Sequence, residues 1–393
     1  MVQDIDYEKA IRILTSKDRF CIKLGLERVL QILELLGNPQ DKLKCIHVAG
    51  TNGKGSVCAI ISAILTRFGL KTGLYTSPHI FDYTERIKIN NIDILKKEFA
   101  KYLLDVVNIA DENNIMLTEF EILTVVMFKY FADNDVDVVV LETGMGGRFD
   151  ATNVIKSNLC SIITHIDLDH TERLGKTKSE IAFEKAGIIK PNCPVFTCEG
   201  YEEIKDKADE CDSLFSLVTP CEDISNLSLK GTCQIENLSL ALAAVRFLFP
   251  QISEAFIQES LKNVNHPCRF QVCRPDLIVD ASHNPNGALA LRESLDLYYP
   301  NTKRCFVFGC LRHKDYKKMM QILFNQGDKI YFYHFSHKDS CTLDELQKAF
   351  QWESFVYSSL NELPKDMLKV VCGSFYMINE VVPRSLLLSH QAD

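Results

Sequence analysis

Seven residues in the first quarter of the chain have the composition of a phosphate-binding loop. Gly50-Thr51-Asn52-Gly53-Lys54-Gly55-Ser56 lies between a short apolar run, Cys45–Ala49, and a helical stretch from 56 to 68. Glycines let backbone N–H groups converge on a phosphate, and the first turn of a helix adds partial positive charge. Lys54 would neutralise a transferable phosphate, and Ser56 could reach a phosphate or its metal ion. The spacing departs from the strict G-x-x-x-x-G-K-[ST] pattern, so a glycine-rich tight turn stays open as the alternative.

A glutamate and a run of glycines follow the strongest predicted strand. Leu141-Glu142-Thr143-Gly144-Met145-Gly146-Gly147-Arg148 comes at the end of the apolar run 136–141. Ligand sites of parallel sheets lie beyond the carboxyl ends of the strands, so Glu142 stands where a magnesium ligand is needed. The glycines would let a substrate approach the backbone. The alternative is a turn at the end of a strand, with a glutamate that caps a helix.

A third segment gathers two histidines and two aspartates in one loop. Thr164-His165-Ile166-Asp167-Leu168-Asp169-His170 leaves the end of the apolar run 160–166, and a capping box then opens a helix that contains Lys185. Magnesium prefers oxygen ligands to imidazole. From the residues alone, His170 as a surface residue and Lys185 as a solvated helix residue therefore stay open.

A similar loop lies in the last third of the chain. Asp280-Ala281-Ser282-His283-Asn284-Pro285-Asn286-Gly287 follows the apolar run that starts at 277, and Arg269 precedes it in a predicted hinge. An aspartate and a histidine at the end of a strand could reach a nucleotide that another domain holds. Ordinary turn chemistry is the alternative for these residues.

The segments that must position these residues alternate between helix and strand. The first forty residues and residues 96–133 are predicted helical. Short apolar strands are predicted at 45–49, 72–75, 136–141, 160–166 and 194–197. Continuous Val/Ile runs that alternate with helices indicate a parallel sheet covered on both faces. We therefore predict an α/β protein of two domains, 1–274 and a smaller 275–393.

Composition narrows the class of protein. The 393 residues are 46% hydrophobic and carry a net charge of −8, which argues against a protein that tracks nucleic-acid backbones. No window of about 18 residues is apolar and uncharged, so no membrane-spanning helix is expected. The 15 cysteines include no C-x-x-C pair, and the N-terminus lacks the apolar region of a signal peptide. These features predict a cytoplasmic protein with free thiols.

Taken together, the motifs resemble the folylpolyglutamate synthase and dihydrofolate synthase family, within the Mur-type ATP-dependent amide ligases. The matching segments are, in chain order, LGLERV, HVAGTNGKGS, TSPH, LETGMGGRFDATN, DLDHTERLGKTKSEIAFEKAGIIKP and DASHNP. The resemblance spans nearly the whole chain. It implies an N-terminal mononucleotide-binding domain with a parallel-sheet core and a P-loop. It also implies a smaller, Rossmann-like C-terminal domain that takes part in glutamate ligation.

The resemblance also implies roles for individual positions. The residues implied to bind ATP in the phosphate loop are Thr51, Asn52, Gly53, Lys54, Gly55 and Ser56. Four later residues are also implied to bind ATP, namely Asn237, Arg269, Asp280 and His283. The implied magnesium ligands are Ser77, Glu142 and His170. The implied catalytic residues are Lys54, His170 and Lys185, of which Lys185 matches a carbamylated lysine. The implied acceptor pocket contains Leu24, Gly25, Thr118, Glu119, Phe120, Glu121, Phe149, Asp150 and Ala151.

Four positions depart from the family pattern. Pro267-Cys268-Arg269 stands for a P-G-R motif, and His313-Lys314-Asp315 stands for D-K-D. Ser282 replaces an alanine. Lys23 replaces an aspartate that contacts dihydropteroate in bifunctional members, which leaves open whether the acceptor is dihydropteroate, a reduced folate or both.

The expected activity is an ATP-dependent ligation of L-glutamate to a pterin carboxylate. A carboxylate does not condense with an amine unaided, so ATP would first convert it to an acyl phosphate. The expected cofactors are Mg²⁺, with two ions implied, and ATP as co-substrate. The expected partners are small molecules, with no nucleic acid and no membrane, and the protein is expected to be a monomer. A Mur-type ligase for another carboxylate and a non-catalytic nucleotide-binding protein are the alternatives.

Overall fold

The computed structural model describes residues 2–16 and 25–388. Within these ranges the helices are Val2–Ser16 (α1), Glu27–Leu35 (α2), Lys54–Arg67 (α3), Lys96–Glu112 (α4), Glu119–Asp133 (α5), Thr171–Leu174 (α6), Lys178–Ala186 (α7), Glu202–Glu210 (α8), Gln234–Leu248 (α9), Glu254–Leu261 (α10), Pro285–Tyr298 (α11), Tyr316–Leu323 (α12), Leu343–Ala349 (α13), Phe375–Val381 (α14) and Arg384–Leu388 (α15). No helix in these ranges is long and apolar enough to cross a membrane.

The strands in the same ranges form two sheets. They are Cys45–Ala49 (β1), Thr72–Tyr75 (β2), Ile87–Ile89 (β3), Ile92–Asp93 (β4), Val138–Glu142 (β5), Cys160–Ile163 (β6), Val195–Thr197 (β7), Phe215–Leu217 (β8), Gln271–Arg274 (β9), Leu277–Asp280 (β10), Arg304–Phe308 (β11), Lys329–Phe332 (β12), Ser354–Val356 (β13) and Leu368–Cys372 (β14). The predicted α/β class is confirmed.

The first sheet has the order β4-β3-β2-β5-β1-β6-β7-β8. The strands from β2 to β8 in this order run parallel, and only β3 and β4 at one edge are antiparallel. Every residue of β1, β5 and β6 is buried. This burial explains their continuous apolar sequences, because strands covered on both faces do not alternate with polar residues.

Helices bury the faces of this sheet. Residues of α1, α2, α4 and α5 join one apolar core that includes Leu14, Ile32, Phe99 and Phe128. The stretch predicted as helical from 96 to 133 is two helices, because Thr118 begins a new capping box after a break. A capping side chain satisfies the free N–H groups of the second helix and so defines its start.

The second sheet has the order β13-β12-β11-β14-β10-β9 and is parallel except for β9. The described residues divide into two compact units, one of those up to Asn226 together with Ile235–Val264, and one of Leu227–Gln234 together with those from Asn265 onward. The boundary thus lies ten residues before the one predicted at 274/275. The reason is that β9, which precedes the predicted boundary, pairs with β10 and belongs to the second sheet.

Candidate active site

Four of the sequence motifs emerge side by side from the first sheet. The strands β2, β5, β1 and β6 are parallel neighbours in that order. Glu142 is the last residue of β5, and the segments that follow the other three strands carry Ser77, the phosphate loop and the loop 164–170. Because the carboxyl ends of parallel strands meet at one edge, the topology gathers these residues where ligands bind in open α/β sheets.

The phosphate loop has the backbone conformation that its glycines permit. Gly53 has φ of +93° and forms the N-cap of α3, a 14-residue helix. A Cβ on Gly50 would lie 1.7 Å from Oγ1 of Thr164, so only glycine fits there. Lys54 Nζ donates to the carbonyl oxygens of Gly50 at 3.0 Å and of Thr51 at 3.2 Å, which holds its ammonium group against the loop. The arrangement offers backbone N–H groups, a helix N-terminus and a cation together.

The loop 164–170 is bonded directly to the phosphate loop. The N–H of Thr51 donates to the carbonyl of His165 at 2.8 Å, and Thr164 Oγ1 donates to the carbonyl of Asn52 at 2.7 Å. Thr51 Oγ1 also bonds both the N–H and the carbonyl of Asp167, each at 3.0 Å. These bonds fix the phosphate loop on the side of β6, so the two loops form one unit.

Glu142 and Ser77 are neighbours, as a shared metal site requires. Glu142 is 4% exposed, and its Oε2 accepts a hydrogen bond from the N–H of Ser77 at 3.0 Å. The carboxylate of Glu142 and the hydroxyl of Ser77 are both hard oxygen ligands, the kind that suits Mg²⁺ or Mn²⁺. These two residues therefore fit a divalent metal ion that nucleotide phosphates would help to hold.

His170 lies on a different element from that pair. It precedes α6 in the left-handed conformation, with φ of +51°, and its side chain is 36% exposed. Among the described residues, no three His, Cys, Asp or Glu side chains lie close enough to hold a metal by themselves. A metal at Glu142 would therefore depend on serine, water or phosphate oxygens as well, and the role of His170 stays a prediction.

Lys185 is a buried amine near the end of α7. It is 2% exposed. Burial first, and the nearby Lys54 second, hold the pKa of its amine well below the usual range, although Asp169 and Asp150 act in the opposite direction. A lowered pKa favours the neutral amine, which is the form that can react with carbon dioxide to give a carbamate. Lys185 is therefore no solvated helix residue.

The glycine run after Glu142 packs against protein. A Cβ on Gly147 would lie 2.8 Å from the carbonyl oxygen of Glu184 and 2.9 Å from that of Lys185. A Cβ on Gly144 would lie 2.5 Å from the ring of Phe120. We expected these glycines to admit a substrate, but at Gly144 and Gly147 the space is filled by a ring and by the end of α7. The glycines thus join the loop closely to the helix that carries Lys185.

The predicted acceptor residues at the start of α5 make internal bonds. Thr118 Oγ1 accepts from the N–H of Glu121 at 3.3 Å, and Glu121 accepts from the N–H of Thr118 at 2.7 Å. Glu121 also pairs with Arg28 at 2.7 Å, and Glu119 accepts from the hydroxyl of Tyr83 at 3.0 Å. Both glutamates are buried. Their side chains hold α5 in place, whatever they contribute to a ligand.

The second predicted acceptor segment has one exposed residue and two buried ones. Phe149 is 48% exposed, while Asp150 and Ala151 are buried. Asp150 accepts from the N–H groups of Met145 at 2.8 Å and Thr152 at 3.0 Å, so it shapes the glycine loop. Of the predicted pair at the N-terminal side, Gly25 has φ of +127°, and Leu24 lies outside the described residues, as does Lys23.

Asn237, a predicted nucleotide contact, lies against the phosphate loop. It is 4% exposed, and its Oδ1 would be 2.2 Å from a Cβ on Gly53. The remaining predicted nucleotide residues form a cluster in the second unit. Asp280 accepts from the N–H groups of Phe270 and Ser282, each at 2.8 Å, and His283 Nδ1 is 2.9 Å from the carbonyl oxygen of Ala281.

Arg269 belongs to the same cluster in the second unit. Its guanidinium lies 5.0 Å from the ring centre of Phe375, and its charge opposes the rise that burial causes in the pKa of Asp280. The preceding Cys268 has φ of +60°. This left-handed backbone explains why glycine is the usual residue of the motif, since glycine adopts it without strain.

Comparison with known proteins identifies the family. Residues 48–194 match the Mur ligase middle domain. The dihydrofolate synthase/folylpolyglutamate synthase of Bacillus subtilis is 32% identical over 96% of this chain and 99% of its own length. The solved structure of E. coli FolC in complex with DHPP and ADP is 28% identical, covers 95% of this chain and 96% of its own, and has a TM-score of 0.86. This chain belongs to the dihydrofolate synthase/folylpolyglutamate synthase family.

A second structure in this family bears on the metal. The bifunctional folylpolyglutamate synthase/dihydrofolate synthase of Yersinia pestis, complexed with AMPPNP and Mn ion, has a TM-score of 0.85 and 28% identity. It covers 95% of this chain and 96% of its own. The resemblance found in the sequence is confirmed, and the fold expected of a dihydrofolate synthase/folylpolyglutamate synthase is confirmed with it. A nucleotide and a divalent metal ion, the ligands of that Yersinia pestis structure, are of the kinds predicted from the sequence of this chain.

Sequence reasoning gave no role to two histidines that the structure shows in specific contacts, the partly buried His165 and the fully buried His47. His165 Nδ1 lies 2.5 Å from Glu199 Oε1, and this hydrogen bond raises the pKa of His165. His47 is fully buried in β1, with Nε2 at 2.8 Å from Thr152 Oγ1. His47 stands in an otherwise apolar strand, a signal that could have drawn attention to it. Glu199 carries no local signal, because its partner is far away in the sequence.

Proposed function

We propose that this chain is an ATP-dependent ligase that joins L-glutamate to the carboxylate of dihydropteroate, of a reduced folate, or of both. The observation that carries the proposal is the convergence of Lys54, Glu142 and the buried Lys185 around neighbouring strand ends and the glycine loop. The family relationship supplies the substrate class. Ligases of this kind need a phosphate site, a metal carboxylate and a buried charge-bearing group, and these residues provide candidates for each.

The proposed chemistry follows from the groups that the site offers. The acceptor carboxylate attacks the γ-phosphorus of ATP, and ADP leaves with an acyl phosphate formed. The amine of glutamate then attacks the acyl carbon, inorganic phosphate leaves, and one amine proton is lost. Lys54 and the N–H groups of the phosphate loop stabilise the charge on the transferred group. No enzyme nucleophile is required, so Ser56 and Ser77 serve as phosphate and metal contacts.

The metal ion would sit with the hard oxygens of Glu142 and Ser77. When bound, it supplies positive charge next to the phosphates of ATP. His170 is proposed as a further ligand, and Lys185, as a carbamate, would give a second metal an additional carboxylate. Asn237 is proposed to contact adenine, because it lies beside Gly53 of the phosphate loop.

The remaining assignments are also part of the proposal. Arg269, Asp280 and His283 form one cluster in the second unit, and we propose that this cluster contacts nucleotide during the reaction. We propose the residues around Phe120 and Phe149 as the acceptor pocket. The exposed ring of Phe149 and the partly buried ring of Phe120 offer flat apolar surface for a pterin.

The test is ADP release that depends on glutamate and a pterin acceptor. Lys54→Ala should abolish this release, because it removes the cation of the phosphate loop. Lys176→Ala, which changes an exposed lysine, should leave the release unchanged. An oxygen-isotope label in the acceptor carboxylate should appear in the released phosphate. Activity that survives Lys54→Ala would contradict the phosphate site, and unlabelled phosphate would contradict the acyl-phosphate route.

A further inference from the structure

A fully buried histidine is bonded to one of the proposed acceptor residues through a threonine. His47 lies in β1 with no exposed surface, and its Nε2 is 2.8 Å from Thr152 Oγ1. Thr152, also fully buried, bonds through the same hydroxyl to Asp150 Oδ1 at 2.6 Å. The three side chains therefore form a continuous chain from a central strand to Asp150.

The direction of the hydrogen bonds in this chain can be assigned. Burial lowers the pKa of His47 to about 3, so its ring is neutral and carries a single N–H. Nδ1 has no hydrogen-bond partner within the described part of the chain, whereas Nε2 faces the threonine oxygen. The proton therefore belongs on Nε2, which donates to Thr152. The single hydroxyl proton of Thr152 is then left to donate to the carboxylate of Asp150.

The chain ends on the glycine loop. Asp150 also accepts from the N–H groups of Met145 and Thr152. Burial raises the pKa of Asp150, and all of these donors act against that rise because they favour the carboxylate. Each donor that the carboxylate keeps thus helps to hold the backbone that directly follows Glu142. If the His47 N–H that donates to Thr152 is removed, the hydroxyl of Thr152 is free to rotate away from Asp150.

We propose that His47 is a positioning residue for the pterin acceptor, acting through Thr152 to orient Asp150 and the backbone at Met145. This inference rests on the proposed function, in which Asp150 lies in the acceptor pocket. The phosphate loop is held by separate bonds to Thr164 and His165. Loss of the chain should therefore weaken acceptor binding and spare the affinity for ATP.

Two amide substitutions at position 47 separate the hydrogen bond from packing. A glutamine side chain can place its N–H₂ near the position of Nε2, whereas an asparagine places it near Nδ1. His47→Gln should therefore keep the donor to Thr152, while His47→Asn and His47→Leu should lose it. We expect KM for the acceptor to rise about tenfold in the Asn and Leu variants and to stay near the wild-type value in the Gln variant.

The measurements are KM for the acceptor, KM for ATP, kcat and the unfolding midpoint of each full-length variant. Thr152→Val removes the hydroxyl at similar volume and Thr152→Ser retains it, so this pair repeats the test if position 47 does not tolerate change. Thr152→Val should raise the acceptor KM like His47→Leu, and the two effects should not add.

Four results would overturn the proposal. An acceptor KM that stays at the wild-type value in both His47→Leu and Thr152→Val would show that the chain does not position Asp150. Equal rises in the KM for ATP and for the acceptor, or no rescue by His47→Gln, would indicate a purely structural role. A wild-type protein that turns over no pterin acceptor would overturn the proposed function itself, together with this inference.

Discussion

Replacing Gly147 by alanine should lower kcat, because the new side chain would push the glycine loop and α7 a short distance apart. The new Cβ would lie 2.8 Å and 2.9 Å from two carbonyl oxygens in the last turn of α7 and 3.0 Å from a methyl carbon of Ile188. Backbone carbonyls cannot rotate away as side chains do, so the loop or the helix must shift by ~0.5 Å to restore ordinary contacts. A shift of about 1 Å can cost ~100-fold in rate, so we expect kcat to fall about tenfold. Overpacking of this kind also lowers the free energy of unfolding by about 1–3 kcal/mol.

The assay is glutamate-dependent ADP release at saturating ATP, combined with thermal unfolding. Gly200→Ala is the matched control, because a Cβ there meets no atom within 4 Å and the residue has no left-handed φ. This control should match the wild type in both measurements. Wild-type kcat in Gly147→Ala would refute the reasoning, since it would show that the contact between the glycine loop and the Lys185 helix does not set the geometry of the site.

Three further predictions concern Lys185, His165 and Thr118. Lys185→Ala should lose turnover by about 100-fold or more, and added acetate should restore part of it, if a carbamate supplies negative charge there; no rescue by acetate would count against the carbamate. His165→Gln should lower the free energy of unfolding by about 1–3 kcal/mol below pH 6.5. Because the folded pKa of His165 is raised, that difference should vanish as the pH rises through it, as denaturant titrations at several pH values can show. Thr118→Ala should cost about 1 kcal/mol of stability through loss of the cap, while Thr118→Ser should retain it in the same titrations.

Local sequence was sufficient for the parts of the site that a single strand, turn and helix build. The phosphate loop is one example, because its glycines, the apolar run before it and the helix after it are neighbours in the chain. Glu142, the proposed metal carboxylate, could be placed at the end of a strand for the same reason. The parallel arrangement of the strands then followed from their continuous apolar sequences.

The role of the glycine run could not be predicted locally. The atoms that a Cβ on Gly147 would meet belong to Glu184 and Lys185, which are distant in sequence and reach the loop only through the fold. The same holds for Arg28, which pairs with Glu121, and for Glu199, which pairs with His165. The sequence around a glycine, a carboxylate or a histidine does not show whether that residue contacts a ligand or a distant part of the protein.

The domain boundary and the edge strands show a second limit. The strand β9 is short and only half-buried, so its sequence lacks the apolar run that marked the central strands. It is a strand because it pairs with the antiparallel strand β10. The short strands β3 and β4 are edge elements of the same kind, and they too depend on pairing more than on composition.

The most direct test of the central claim is to measure ADP release from magnesium-ATP with L-glutamate, run in parallel with dihydropteroate, with tetrahydrofolate and with no acceptor. The account predicts that ADP forms only when glutamate and at least one pterin acceptor are both present, with a product heavier by one glutamate residue. Turnover with both acceptors would show that Lys23 is compatible with dihydropteroate. No turnover with either acceptor, from folded protein that binds ATP, would contradict the account.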